Sequence, residues 1–429
     1  MNWNRWYVAR TYITSALWVV PLLALLLENV VIRLVFLLHG SLDWIPWFGT
    51  TVSGAAEALN TVEALTTAFI VFTFGSLLIV IQVASGQLTP RLIATTLLRN
   101  NVIRSMVGLF TFTMMFAVGT GARFDTEVPT FAVTIVWILG IASIAAFFFL
   151  IDYTARLLRP VRIVWSVGED GIKVVNTVYP ERFRTPPSAP AKLPMNSTAR
   201  TINHSGRSAI VLAVNLKALV VIAQRADGFV ELVPRIGDFV TSGEPLFRLH
   251  GNAATIDDSK LRAQVAFGPE RTIEQDSTFA IRVIVDIAIK ALSPAINDPT
   301  TAVLAIDQLH RLLRHVGARH LHDDVLRDSE GMPRMTFRTP NWEDFVELTF
   351  SEIRLYGAGN FQVVRRLRAM IENLIETLPT ARQPVLQVEL GLLDRRLEKL
   401  YEFPEDAALA RQPDLQGLGG AGGRARKGF

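Results

Sequence analysis

The chain has 429 residues, 50% of them hydrophobic and 19% charged, with no cysteine and a formal net charge of +4. That length accommodates two or three domains, and the missing cysteine excludes disulfides, thiolate metal sites and cysteine nucleophiles. The positive excess is small and scattered, which argues against a nucleic-acid partner, while residues 1–155 are strongly apolar and the rest reads as a charged, soluble-type chain.

A helix needs about 20 apolar residues to cross a bilayer. Four segments meet that requirement, at roughly 15–38, 62–84, 102–121 and 131–153. The first is longer than the core of a signal peptide and three more follow it, so it reads as a retained span. Orientation follows from the arginines. Arg5 and Arg10 precede the first span, Arg91, Arg99 and Arg104 surround the second loop, and Arg156, Arg159 and Arg162 follow the fourth span. The loop around 39–61 holds Asp43 and Glu57 and no basic residue, and Arg123 stands against Asp125 and Glu127 in the third. This alternation predicts that both termini are cytoplasmic. Trp44, Trp47 and Phe48 suit the outer interface, and Trp3, Trp6 and Tyr7 the inner one.

Glu28 and Arg33 lie within the first span. Charge inside hydrocarbon is costly and usually faces protein or water. One reading is an ion path or coupling pair. The other is a tilted span with both residues near its outer end and Arg33 snorkelling. A spacing of five is poor for a direct pair on one helix face. Glu63 opens the second span as a favourable N-terminal carboxylate. Small residues such as Gly108, Gly119 and Gly140 in spans three and four permit close helix packing, within a bundle or between subunits.

Beyond the spans, 163–179 reads as a strand and a short helix, and the prolines between 180 and 204 as a linker. SAIVLAV, from Ser208, reads as a buried strand; Asn215 caps a short helix that Asp227-Gly228 closes; FVELVP and PLFRL then read as strands. The run from Gly228 to Leu249 looks like one hairpin of a biotinyl/lipoyl-type barrel but has no lysine to carry a cofactor arm.

A buried helix is predicted over 277–292, with Arg282, Asp286 and Lys290 as its one polar stripe. Such a ladder is either an ion network or a ligand site. The joint ALSPAINDPTTA follows, at 291–302. Ser293 and Pro294 end the first helix, while Asp298 serves as N-cap and Pro299 as first residue of the next. Local capping uses most of what Asn297 and Asp298 offer, so the joint reads first as a stiff turn and second as a ligand or gating site formed by Ser293, Pro294, Asn297, Asp298 and Pro299, with Asp286 nearby in sequence. Further helices are expected at 342–356, 360–378 and 383–401, and a disordered Gly-rich tail after them. His310, His315, His320, His322, Asp323 and Asp324 cluster without the spacing of a zinc motif. No Walker A, GxGxxG, HExxH or GxSxG motif occurs, so no enzyme class, metal or cofactor is specified.

QLTPRLIATTLLRN at 87–100, FGPERTIEQDSTFAIRVIVDIAIKALSPAINDPTTAVLAIDQL at 267–309 and FSEIRLYGAGN at 350–360 resemble the bacterial membrane proteins grouped as domain of unknown function 2254. The resemblance implies four N-terminal spans and a cytoplasmic remainder, gives the 293–299 joint more weight, and brings no activity with it. The expected architecture is a membrane α-helical bundle (1–155), a cytoplasmic α+β module (156–275) with a linker at 180–204, a helical subdomain (276–403) and a flexible tail (404–429). The first functional expectation is an oligomeric channel or transport-type protein whose partners are the lipid bilayer, ions and further copies of the chain. The second is a membrane-anchored scaffold or sensor, and the third a membrane enzyme using Asp286 or Asp298.

Overall fold

The computed structural model describes residues 2–37, 51–87, 100–123, 128–157, 159–184, 198–321 and 324–420. They form two compact units, one of residues 12–86 and 90–163, the other of residues 1–11, 87–89 and 164–429.

The apolar unit is helical: α2 (Val19–Leu37), α3 (Val52–Gln87), α4 (Asn101–Gly121) and α5 (Thr130–Leu157), preceded by the end of α1 (Trp3–Ser15). Each of α2 to α5 is long and apolar enough to cross a membrane. The second begins about ten residues earlier than its hydropathy suggested. Its first turns are rich in alanine and glutamate, good helix formers with little hydropathy, and Thr51 Oγ1 accepts the Gly54 N–H there at 3.2 Å. Two apolar clusters hold the unit together, one around Phe69, Leu77, Phe110 and Leu150, the other around Ile32, Leu59, Phe116 and Val136. Outward-facing Leu23, Leu26, Val71, Leu78, Ile141 and Phe148 are exposed, as lipid contact requires.

Polar side chains inside this unit are satisfied locally. Thr66, Thr73, Thr111 and Thr120 each donate to the carbonyl four residues before them. Ser143 on α5 donates to Thr113 on α4 at 3.2 Å. Arg104 donates to the carbonyls of Ile13 and Thr14 at 3.1 and 2.7 Å. Helix α2 approaches α4 closely at Gly119, where an added Cβ would lie 2.5 Å from Ile32 Cδ1 and 3.1 Å from Glu28 Oε1.

The second unit includes residues 3–11 of α1 and continues in α6 (Pro160–Val178). Helix α6 replaces the strand and short helix expected at 163–179. Ile163, Val164, Val167, Val174 and Val175 are buried. Their spacing of one, four, eleven and twelve from the first is a helical stripe, and that period overrides the β preference of the individual residues. The unit holds a five-stranded sheet in the order β1 (Thr198–Asn203), β5 (Pro245–Gly251), β3 (Gly228–Leu232), β8 (Pro333–Phe337), β7 (Val325–Arg327). Among the described residues only β3 and β8 pair in parallel in this sheet. A three-stranded antiparallel sheet has the order β4 (Phe239–Val240), β2 (Ala209–Val214), β6 (Val265–Gly268). The expected hairpin is thus present as β3 with β5, while the residues between them supply β4 to the other sheet. The linker expectation fails at its end, because 198–203 pairs with β5; residues 185–197 lie outside the described residues. Helices α7 (Leu216–Arg225) and α8 (Asp258–Arg262) complete this part, over a core of Val211, Leu219, Val230, Leu246, Phe247, Leu261 and Met335.

Helices α9 (Ser277–Ala291), α10 (Pro299–Gly317), α11 (Trp342–Gly357), α12 (Phe361–Thr377), α13 (Gln383–Leu400) and α14 (Pro404–Ala410) follow. Side-chain caps start four of them: Asp276 for α9, Asp298 for α10, Asn341 with Asp344 as a capping box for α11, and Asn360 for α12.

The disordered-tail expectation is corrected over 404–420. Beyond α14 the chain docks on α12, where fully buried Arg365 donates to the carbonyls of Gln412, Gly419 and Gly420 at 3.0, 2.9 and 2.9 Å. Buried Asp414 accepts the N–H groups of Gln416, Gly417 and Gly419 at 3.0, 3.0 and 2.7 Å. Glycine-rich composition marked the segment as flexible, yet glycine is what lets the backbone reach these partners: Gly417 and Gly419 have φ of 69° and 75°. Residues 421–429 lie outside the described residues.

Replacing Arg365 by Met leaves three carbonyls without their donor. We expect a loss of about 2–4 kcal/mol in the strap's docking, read as faster tryptic cleavage at Arg411 in the purified protein. Replacing Gly119 by Leu should lower the melting temperature through overpacking worth about 1–3 kcal/mol. Gly75→Leu, where an added Cβ meets nothing within 4 Å, should leave it unchanged.

Candidate functional site

The 293–299 joint is a closed turn. Asn297 N–H donates to the Ser293 carbonyl at 2.8 Å, and Asp298 N–H to that of Ala291 at 2.8 Å. Asp298 Oδ1 accepts the Thr301 N–H at 3.0 Å, and its Oδ2 accepts the Thr301 hydroxyl. Ser293 Oγ donates to the Lys290 carbonyl at 2.7 Å. Asn297 is exposed with φ of 48°, a left-handed conformation that asparagine adopts more readily than most residues. These bonds use both carboxylate oxygens and the serine hydroxyl, and none of the five candidate residues lines a cavity described below.

Asp286 stands two turns before that joint. Arg282 Nε donates to it at 2.7 Å while Nη2 reaches Glu352 Oε2 on α11 at 2.8 Å. The hydrogen bond to Glu352, together with Asp286, holds the guanidinium firmly protonated. The stripe is an ion network joining α9 to α11. Glu28 and Arg33 belong to the other unit and separate: Arg33 is exposed, whereas Glu28 is 5% exposed, close to Gly119 and Arg123. The histidine cluster separates too. His310 pairs with Asn373 at 2.9 Å and His315 with Asn176 at 2.8 Å; His322 and Asp323 lie outside the described residues. Among the described residues no three histidines or carboxylates stand close enough to hold a metal ion.

A cavity of about 740 Å³ in the second unit gathers side chains from distant parts of the chain. Its wall includes Trp3, the end of α6 at Thr177–Pro180, the start of α7, the start of α9 at Gln275–Ser277, and residues 326–329 and 337–340 flanking the β7–β8 pair. Trp3 reaches it because α1 packs on this unit, with Asn4 N–H donating to the Ala263 carbonyl at 3.1 Å and Tyr7 to Glu274 Oε2 at 2.6 Å. Trp3 stacks on Tyr7 at 5.3 Å, and the pair packs against Leu212, Ala213 and Ala266. Tyr7 is thus buried against protein, while Trp6 is exposed.

Asn215 ends β2 and starts α7, its side chain accepting the Ala218 N–H at 3.2 Å. Gln275 Oε1 accepts the Val214 N–H at 3.0 Å, tying the start of α9 to the same strand. Asp276 Oδ1 caps α9, accepting from Thr278 N, Phe279 N and Thr278 Oγ1 at 3.1, 3.1 and 2.6 Å. Its Oδ2 is buried without a hydrogen-bond partner among the described residues. Burial pushes this carboxyl above its ordinary value, against the opposing pull of the Thr278 bonds and the Arg271 charge. Tyr179, also in the wall, is pushed up to about 12 by burial, so it stays a neutral hydroxyl paired with Ser277.

Comparison with known proteins now bears on the chain. A family model described as "Predicted membrane protein (DUF2254)" matches residues 14–373. The chain belongs to that family. An uncharacterized protein of Mycobacterium bovis and one of Mycobacterium tuberculosis are each 27% identical to it over 430 residues, covering 95% of this chain and 81% of the relative. No solved structure matches. The DUF2254 match contains the four apolar helices, the 293–299 joint and most of the cavity wall, but neither Trp3 nor the 404–420 strap.

Sequence reasoning found Asn215 as a cap but missed the cavity. Tyr179, Lys217, Asp276 and Arg338 show no common spacing, and only the packing of sheets and helices brings them together.

Because asparagine caps a helix about as well as aspartate, Asp276→Asn should fold normally, while Asp276→Ala should lose about 1 kcal/mol. A native carboxyl pKa raised above the ordinary 3.8 means the folded state holds its proton longer than the unfolded one. The wild type therefore loses stability as pH rises from that ordinary value through the raised one. Melting curves across that range should show Asp276→Asn gaining on the wild type with rising pH.

Proposed function

We propose that this member of the family is a membrane-anchored receptor, in which the four apolar helices hold the chain in the bilayer and the second unit binds a small ligand. The cavity beside Trp3, α7 and α9 carries this reading: its volume of about 740 Å³ falls in the range of small-molecule sites, and its wall mixes apolar surface with a few polar groups. The same α1 that contributes Trp3 runs on toward the first span, which gives ligand occupancy a covalent connection to the membrane helices. The arginine distribution supports a cytoplasmic location for both termini, and alkaline phosphatase fused after Phe429 should be inactive in intact bacteria.

Native mass spectrometry of the protein purified in a neutral detergent should detect a retained small molecule, and Val220→Trp, which fills the cavity, should abolish it. If the wild type carries nothing and no compound in a metabolite or lipid panel raises its melting temperature, the receptor reading falls.

A second reading, conduction through an assembly of several copies, is favoured by Glu28. An ionisable residue buried on a membrane helix is a functional candidate by default. In planar bilayers this reading expects a current whose cation selectivity changes in Glu28→Gln; silent bilayers from both proteins would sink it.

A further inference from the structure

The charges lining the cavity are not equally free. Arg235 donates to Asp344 at 3.2 Å, and Asp328 accepts from Arg334 at 2.7 Å and from two backbone N–H groups. Asp276 caps α9 through Oδ1 alone, and its buried Oδ2 has no hydrogen-bond partner among the described residues. Lys217, Arg327 and Arg338 remain, and none forms an ion pair among the described residues; Arg327 donates instead to the Gly331 carbonyl at 2.8 Å. Lys217 is the second residue of α7, a helix of ten residues. The cap leaves two backbone donors there: Asn215's side chain takes the Ala218 N–H and its carbonyl takes that of Leu219 at 3.1 Å, while the N–H groups of Leu216 and Lys217 remain. An anion at this corner meets an ammonium, two orphan N–H groups and the positive end of a helix. Much of the remaining wall, including Trp3, Val220, Ile236, Leu326 and Phe337, is apolar.

We infer that the cavity takes an anionic amphiphile, with a phosphate or carboxylate head at Lys217, Arg327 and Arg338 and an apolar body over Trp3, Val220 and Phe337. This rests on the receptor reading and names its ligand class. A lipid of the surrounding leaflet and a water-soluble acyl or aryl acid share this chemistry.

The test uses the full chain in nanodiscs of phosphatidylcholine, titrated with decyl phosphate, decanol and decyltrimethylammonium while the melting temperature is followed. Decyl phosphate should bind saturably and stabilise the protein, and the two other amphiphiles should not. The double variant Lys217→Gln/Arg338→Gln should melt normally without ligand, since both side chains are exposed and unpaired, and should bind decyl phosphate at least about tenfold more weakly. Nanodiscs containing phosphatidic acid separate the sources: protection that also blocks decyl phosphate identifies a lipid headgroup, and unchanged decyl phosphate binding identifies a soluble acid. Equal binding of decanol, or undiminished binding by the double variant, overturns the anionic assignment while the receptor reading stands. Failure of all three amphiphiles to bind overturns the anionic assignment, and a ligand retained in native mass spectrometry would then still support the receptor.

Discussion

Hydrocarbon offers no hydrogen-bond partner, and the arrangement of this chain depends on that constraint. In the apolar helices many polar side chains among the described residues are answered within their own helix or by an adjacent one. Four threonine hydroxyls turn back onto carbonyls one turn earlier, Ser143 meets Thr113, and Arg104 reaches the carbonyls that end α1. Glycine lets two of these helices approach closely, as α2 and α4 do at Gly119. Glu28 stands apart, a buried carboxyl near Ile32 and Gly119 with the Arg123 guanidinium close by.

Outside that unit the constraint relaxes, and unpaired charge becomes affordable next to water. The cavity in the second unit combines the two regimes. Its floor and sides are built from strand ends and helix starts, places where backbone groups are left over and where capping residues such as Asn215 and Asp276 must stand. Lys217, Arg327 and Arg338 of its wall are exposed.

The 293–299 joint has a different role in this picture. Its polar atoms serve the turn itself, so its rigidity fixes how α9 meets α10, and the Arg282 network fixes how α9 meets α11. Gly357, at the end of α11, packs close to Leu292 just before the joint, so two of the segments that resemble the family are neighbours in space.

Features set by near neighbours in the chain were legible in the sequence. The four apolar helices follow from length and composition, the Asp298-Pro299 start and the Asn215 cap from local hydrogen bonding and the fixed φ of proline, and α9 to α13 from apolar residues at helical spacing. Segments whose state depends on a partner far along the chain were not. Whether Glu28 faced lipid or protein depended on α4; whether Tyr7 was buried against protein depended on β2 and β6; whether the glycine-rich 411–420 segment was loose or docked depended on Arg365 of α12. The cavity is the same case carried further, since its wall exists only where α1, α6, α7, α9 and β8 converge. Local propensity and periodicity are properties of a short window, while burial and electrostatic pairing arise between windows, and only the tertiary structure brings those together.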